Sequence, residues 1–184
     1  MSWAELAAAA DEHAELLSAT PHTSISDELL SMAAGLHGAT PMDAALAIAE
    51  FVRAEVAYVP RVDGRADIGQ EAWNLCKGVC QDIAQLTVAL LRSRGIPARY
   101  VSGYLHPKQD AEIGQTVAGQ SHAWVEWWCG DWVGHDPTNG VPVGPQHVVV
   151  ARGRDYDDVA PLKGVYHGPR SSAIAVTVEV TRVT

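Results

Sequence analysis

At Gly95 the hydrophobic periodicity of this 184-residue chain changes, and no other feature of the sequence restricts the fold as much. Upstream, from Cys80 to Arg94, Ile83, Leu86, Leu90 and Leu91 recur at i, i+3, i+7 and i+8. That spacing is one face of an α-helix, ended by Gly95 as cap and Pro97 beyond it. Downstream the texture is that of strands: Ala98 to Leu105, His122 to Trp128, Trp132 to Asp136, His147 to Arg152 and Ser172 to Val183. In the last of these, Ile174, Val176, Val178 and Val180 alternate with Ala175, Thr177, Glu179 and Thr181. Helices followed by a run of strands predict an α+β fold with an antiparallel sheet.

The first 58 residues are dense in Ala, Leu and Glu, with breakers at Thr20-Pro21 and around Gly35 to Gly38, which predicts three helices. The third has the clearest start, with Thr40 as N-cap, Pro41 at the first helical position and Asp43 completing a capping box. Its apolar residues Leu46, Ala49, Phe51, Val52 and Val56 form the stripe expected to be buried. From Pro60 to Gly69 the chain reads as a polar surface loop. With no repeat and no low-complexity linker, residues 1–184 are expected to form a single domain, 1–58 being a helical N-terminal part and 59–184 the core that carries the chemistry.

Composition removes several classes of function. With 13 basic and 22 acidic residues the chain carries a net charge of −9, which argues against nucleic acid or an anionic membrane as partner. Three cysteines without a CxxC spacing do not make the disulfide framework of a small secreted domain. An acid at Glu5 and an apolar run ending at Asp11-Glu12 do not match a signal peptide, and no segment has the length of a membrane span. A cytoplasmic location is therefore expected.

A thiol attacks only as thiolate, and a helix N-terminus favours that form through its free N–H groups and dipole. Cys80 holds such a position, entered through Lys77-Gly78-Val79, although a lone cysteine there can equally be a buried packing residue. Its partners decide between the two. A cysteine nucleophile needs a base within hydrogen-bond reach, and the base needs a third group to fix its tautomer. The run from His122 to Asp136 reads as a hairpin, and a three-residue loop at Cys129 to Asp131 would pair Trp128 with Trp132. Asp136 then becomes the diagonal neighbour of His122 on the same face, at about 7 to 8 Å between Cα atoms. A two-residue loop would send it to the other face. A triad of Cys80, His122 and Asp136 thus requires an odd loop or a bulge.

Four runs carry a family resemblance: Gly78-Val-Cys-Gln-Asp-Ile-Ala84, Arg92-Ser-Arg-Gly-Ile-Pro-Ala-Arg-Tyr-Val-Ser-Gly-Tyr104, His122-Ala-Trp-Val-Glu126 and Asp136-Pro-Thr-Asn-Gly140. In that order they resemble the core motifs of the bacterial transglutaminase-like superfamily, and the likeness continues from Val149 to Pro161. The resemblance implies a papain-like arrangement on an α+β fold, with Cys80 as nucleophile, His122 as general base and Asp136 orienting it. It implies thiol-dependent acyl transfer on a peptide or protein substrate, without metal or organic cofactor. Two positions depart from the pattern: Gln85 stands where relatives often have His, and the insert from His106 to Ser121 carries no interpretable motif.

Hydrolysis, as by a cysteine protease or amidase, is expected over amine cross-linking, because water is always present and a short chain shows no second amine channel. The alternative is a catalytically silent peptide-binding module with the same fold. Trp124 and Tyr156 are the candidate substrate contacts, though the aromatic residues Trp124, Trp127, Trp128 and Trp132 also fit cross-strand packing. Arg154, Asp155, Tyr156 and Asp158 either close over the site or form a hydrogen-bonded loop. Asp82 fits a dipole-matched cap, and the acidic stretch from Asp11 to Glu15 a solvated face. A zinc site from Cys76, Cys80, His122 and His135 is disfavoured by the Cys-x3-Cys spacing, and no metal is expected.

Overall fold

The structure, a computed structural model, describes residues 1–60, 69–107, 112–160, 167–168 and 177–183. Helices α1 (Trp3–Ala8), α2 (Asp27–Ala34) and α3 (Pro41–Glu55) precede a two-residue strand β1 (Ala57–Tyr58). Helix α4 (Gly69–Leu75) and strand β2 (Lys77–Gly78) lead into α5 (Cys80–Ser93). Strands β3 (Ala98–Leu105), β4 (Thr116–Ala118), β5 (Gln120–Trp128), β6 (Trp132–Asp136), β7 (Val141–Pro142) and β8 (His147–Gly153) follow. The short helix α6 (Tyr156–Val159) and strand β9 (Glu179–Thr181) complete the described elements.

The main sheet has the order β7-β6-β5-β3-β8, and every neighbouring pair in it is antiparallel. On β5, Ala123, Val125 and Trp127 belong to the core, whereas His122, Trp124 and Glu126 alternate to the other face. Helix α5 packs on β3 and β5 and is covered in turn by α2, α3 and α4. It is therefore apolar nearly all round, and Ile83, Leu86, Val88, Leu90 and Leu91 are at most 1% exposed. Each such side chain stabilises the fold by roughly 1.5–3 kcal/mol relative to exposure. One cluster of buried residues runs from Leu6 to Val159.

Helix α5 ends where the sequence places its end, with Gly95 at φ 73° and its N–H on the Arg92 carbonyl. Helix α3 starts as expected. Thr40 Oγ1 accepts from Asp43 N at 3.2 Å and Asp43 Oδ2 accepts from Thr40 N at 3.0 Å. Its buried stripe is Ala45, Ile48, Ala49, Val52 and Val56, while Leu46 is 45% exposed, a correction of the expected face.

The N-terminal part differs from three plain helices. Between α1 and α2 the chain forms a 3-10 segment, Ala10–Leu16, kinked at His13, and a 3-10 turn, Pro21–Thr23. Asp11, Glu12 and Glu15 there are exposed, as a solvated face requires. Residues 61–68 of the expected polar loop lie outside the described residues, as do 172–176 of the expected last strand. The described part of that strand, β9, pairs antiparallel with β4, which lies in the uninterpreted insert.

Candidate active site

Cys80 is placed by the turn that precedes it. Cys76, at φ 50°, closes α4 in the left-handed region, and its carbonyl accepts from Ala57 N at 3.0 Å. The chain then extends through β2 and Val79 (φ −93°, ψ 176°), and α5 begins at Cys80. Asp82, 1% exposed, accepts from Val79 N at 3.0 Å, so it caps the helix as its position suggests. The Cys80 side chain is buried against the core, and its thiol lies 3.3 Å from Gln81 Oε1.

The hairpin has the odd loop. Trp128 pairs with Trp132, leaving Cys129 to Asp131 as the turn, and Gly130 takes φ 95°. Asp136 therefore shares a face with His122, and His122 Nε2 lies 2.7 Å from Asp136 Oδ2. Asp136 is fully buried. Its Oδ1 accepts from Thr138 N at 3.0 Å and Asn139 N at 3.1 Å, and its Oδ2 accepts from Asn139 Nδ2 at 2.6 Å. With Nε2 donating to the carboxylate, Nδ1 of His122 is the nitrogen left for its hydrogen bond with Cys80.

These contacts set the charges. Burial alone would lower the His122 pKa, but the hydrogen bonds to Asp136 and Cys80 outweigh it and raise the imidazole to about 9. Burial would likewise raise Asp136, yet His122, His147 and Asn139 hold its carboxyl well below the usual carboxylate range. An imidazolium between a buried carboxylate and a thiol is the arrangement that sustains a thiolate.

Several neighbours were not singled out from the sequence. Asn139 sits three residues after Asp136, a local spacing that offered the signal. His147, at the start of β8, places Nε2 3.3 Å from Asp136 Oδ2. Tyr58 and Tyr100 lie within the electrostatic reach of Cys80, and burial first, then that thiol, pushes both phenols up.

Of the expected substrate contacts, Trp124 is fully buried. It lies 6.1 Å from the His122 ring and edge-on to His147 at 5.2 Å, so it forms a wall behind the imidazoles and not an open channel. Trp127 is also fully buried, against His135. Tyr156 stands edge-on to Tyr100 at 6.4 Å, one ring removed from Cys80. The segment around it is a hydrogen-bonded loop: Arg154 clasps Asp158 at 2.9 and 3.0 Å, and Asp155 caps α6 through Asp157 N. Glu126 of the His122 motif ties three strands together, pairing with Arg99 on β3 and Arg152 on β8. Among the described residues no group of three or more His, Cys, Asp or Glu is placed to hold a metal ion.

The family model described as the transglutaminase-like superfamily matches residues 31–137, more than half of the chain and including Cys80, His122 and Asp136. The chain belongs to the transglutaminase-like superfamily. An uncharacterised protein of Mycobacterium leprae is 44% identical over 186 residues, covering 100% of this chain and 67% of that protein. An uncharacterised protein of Mycobacterium tuberculosis is 44% identical over 115 residues, 56% of this chain and 36% of that protein. The crystal structure of a candidate cysteine protease from Cytophaga hutchinsonii superposes with TM-score 0.68 at 28% identity, covering 81% of this chain and 49% of that one. The periplasmic domain of TgpA from Pseudomonas aeruginosa gives TM-score 0.51 at 25% identity, over 68% of this chain and 46% of that one. The chain thus spans from about a third to two thirds of these proteins. The superfamily membership carries the transglutaminase-like, papain-like α+β fold with it. Among the described residues no helix is long and apolar enough to cross a membrane.

Proposed function

We propose that the chain catalyses thiol-dependent acyl transfer on a peptide or glutamine amide, with Cys80 as nucleophile, His122 as general base and acid, and Asp136 orienting His122. The observation that supports it most is the 2.7 Å contact of His122 Nε2 with the buried Asp136, which leaves the other ring nitrogen to Cys80 at the head of α5. The Cys80 sulfur attacks the amide carbonyl and forms a C–S bond. His122 passes its proton to the leaving nitrogen, and the collapse of the tetrahedral adduct breaks the C–N bond. The N–H of Cys80, at the first turn of a helix and so without an intrahelical acceptor, is directed at the oxyanion. Water then attacks the thioester, His122 takes its proton, and the acid is released with the thiol restored.

A groove of about 530 Å³, lined by Ser102, Gly103, Tyr104, Ser121, Val150 and Val159, is the proposed seat of the acyl substrate. Its lining includes Gly103, the strand partner of His122, and Ser121, which precedes His122 on β5. For the silent binding-module reading, Trp124 and Trp127 are buried, which leaves Trp128 and Trp132 as the partly exposed tryptophans of the hairpin. The described cysteines are unpaired, and a reducing cytoplasm would keep the Cys80 thiol available.

The test exposes the protein to a mixed pool of peptides and amines and reads products by mass. Hydrolysis adds the elements of water, whereas transamidation adds the amine with loss of ammonia or of the cleaved peptide. We expect hydrolysis, abolished in Cys80→Ala and His122→Ala with the fold intact by circular dichroism. Turnover that survives in Cys80→Ala sinks the mechanism. Iodoacetamide adds an independent reading. Cys80 should be alkylated near neutral pH faster than Cys129, whose thiol burial pushes up to about 11.

A further inference from the structure

We propose that His147 is a second positioning imidazole of this site, fixed as the Nε2–H tautomer and sharing the Asp136 carboxylate with His122. The proposal rests on the acyl-transfer reading for its effect on turnover, but its geometry stands apart from it. Nδ1 of His147 accepts from Gly144 N at 3.2 Å and so carries no proton while that bond stands. Nε2 is then the protonated nitrogen, and it faces Asp136 Oδ2 at 3.3 Å. The His147 side chain is 3% exposed, so both bonds are shielded from water.

The contact bridges an unusual span. Strands β5 and β3 lie between β6, which carries Asp136, and β8, which carries His147. Asp136 closes β6 and His147 opens β8, so the two side chains meet from strand ends. The floor that allows this is Gly103, where a Cβ would stand 2.1 Å from the Val148 carbonyl oxygen and 2.6 Å from the Trp124 ring. Trp124 lies over that gap, its ring nearly perpendicular to that of His147 at 5.2 Å. Wall, floor and tautomer together hold His147 on Asp136.

The consequence is for His122. The titratable groups seen in contact with His147 are Asp136 from β6 and His122 from β5, whose ring lies 6.3 Å away, and buried His106 follows Leu105, the register partner of His147 on β3. As a neutral donor His147 takes part of the carboxylate's charge and fixes its plane without placing a second cation beside His122. Removing the donor leaves the Asp136 charge to His122 and Asn139 and frees the carboxylate to turn. A buried residue that served packing alone would do neither.

Imidazole ¹⁵N NMR reads this directly. At pH 7 His147 should show a bare Nδ1 and a protonated Nε2. In His147→Leu the His122 midpoint should rise by about half a pH unit or more, because the carboxylate charge is less shared. His147→Gln, whose amide can donate from the same place, should restore most of it. The peptide turnover number should fall about ten- to a hundredfold in His147→Leu with KM little changed, as for a misplaced catalytic group. A protonated Nδ1 on His147 at pH 7, or a His122 midpoint unmoved by His147→Leu, overturns the proposal. If the leucine variant does not fold, the tautomer and the glutamine variant still decide. If the unmodified protein turns over no peptide, the acyl-transfer reading fails while the tautomer and midpoint continue to judge His147.

Discussion

The protonation of His122 ties the chemistry of this site to the stability of the chain. Its folded pKa of about 9 lies above the ordinary value of 6.5, so the stability it contributes is fully present below pH 6.5 and is lost as pH rises toward 9. Asp136 acts in the opposite sense. Its folded pKa lies below the ordinary 3.8, so its contribution is present above that value and disappears as pH falls beneath it. We therefore expect the melting temperature to fall between pH 6.5 and 9, measured by calorimetry, and the slope to flatten in His122→Gln. A melting temperature level across that range would count against the His122–Asp136 pairing. Scans should stop near pH 9, because Cys129, pushed by burial to about 11, adds its own loss of stability above the ordinary thiol pKa. At this scale the sequence was informative where periodicity applies. The His122–Asp136 contact follows from counting residues around a three-residue loop, and Asp82 as cap from its place in the first turn. His147 does not follow from counting, because two strands separate it from Asp136 and only the folded sheet order brings them together.

Among the elements, α5 is the one whose placement fixes most of the site, and Arg92 in its last turn anchors it. The guanidinium is 6% exposed and donates to the carbonyls of Ala98, Ser18 and Arg154 and to Thr23 Oγ1. One side chain thus joins the helix end, the start of β3, the N-terminal segment and the loop before α6. Burial lowers its pKa to about 10, still well above neutrality, so it remains a cation held mostly by backbone dipoles. Arg92→Met should cost about 3–5 kcal/mol, since it strands several buried acceptors at once. The measurement is the urea midpoint at unchanged slope, and a loss under about 1 kcal/mol would show that water replaces the guanidinium. The sequence showed the extent of α5, β3 and β6 because each has a long apolar period or a sharp boundary. It did not show α4 or β4, of seven and three residues, which are too short to display a period. The stripe of α3 was misassigned at Leu46 for a related reason. An Ala-rich helix lets several faces pack, and tertiary contacts chose Ala45 and Ile48 in place of Leu46.

For the molecule as a whole, the N-terminal segment decides whether the core closes. The family match begins at residue 31, yet Leu6 and Leu29 are 2% and 0% exposed within the same cluster as α5. Trp3 Nε1 donates to the Gly38 carbonyl at 3.2 Å, and the His13 ring lies tilted against Trp128 at 4.8 Å, tying the segment to β5. The density of Ala, Leu and Glu marked these residues as helical but could not say what they cover, because the buried positions are few and the 3-10 segment has no regular stripe. Deleting residues 1–24 would uncover Leu6's place in the core, worth roughly 1.5–3 kcal/mol. It would also remove Ser18 O and Thr23 Oγ1 from Arg92, and a buried cation short of partners costs about 3–5 kcal/mol. The sum approaches the 5–15 kcal/mol that typically holds a domain folded. We expect the truncated chain to lose its cooperative melting transition and to bind a hydrophobic dye at 25 °C. Should it instead melt cooperatively within a few degrees of the full chain, the N-terminal segment is an ornament on a core that stands without it, and the partners of Arg92 there are replaceable by water.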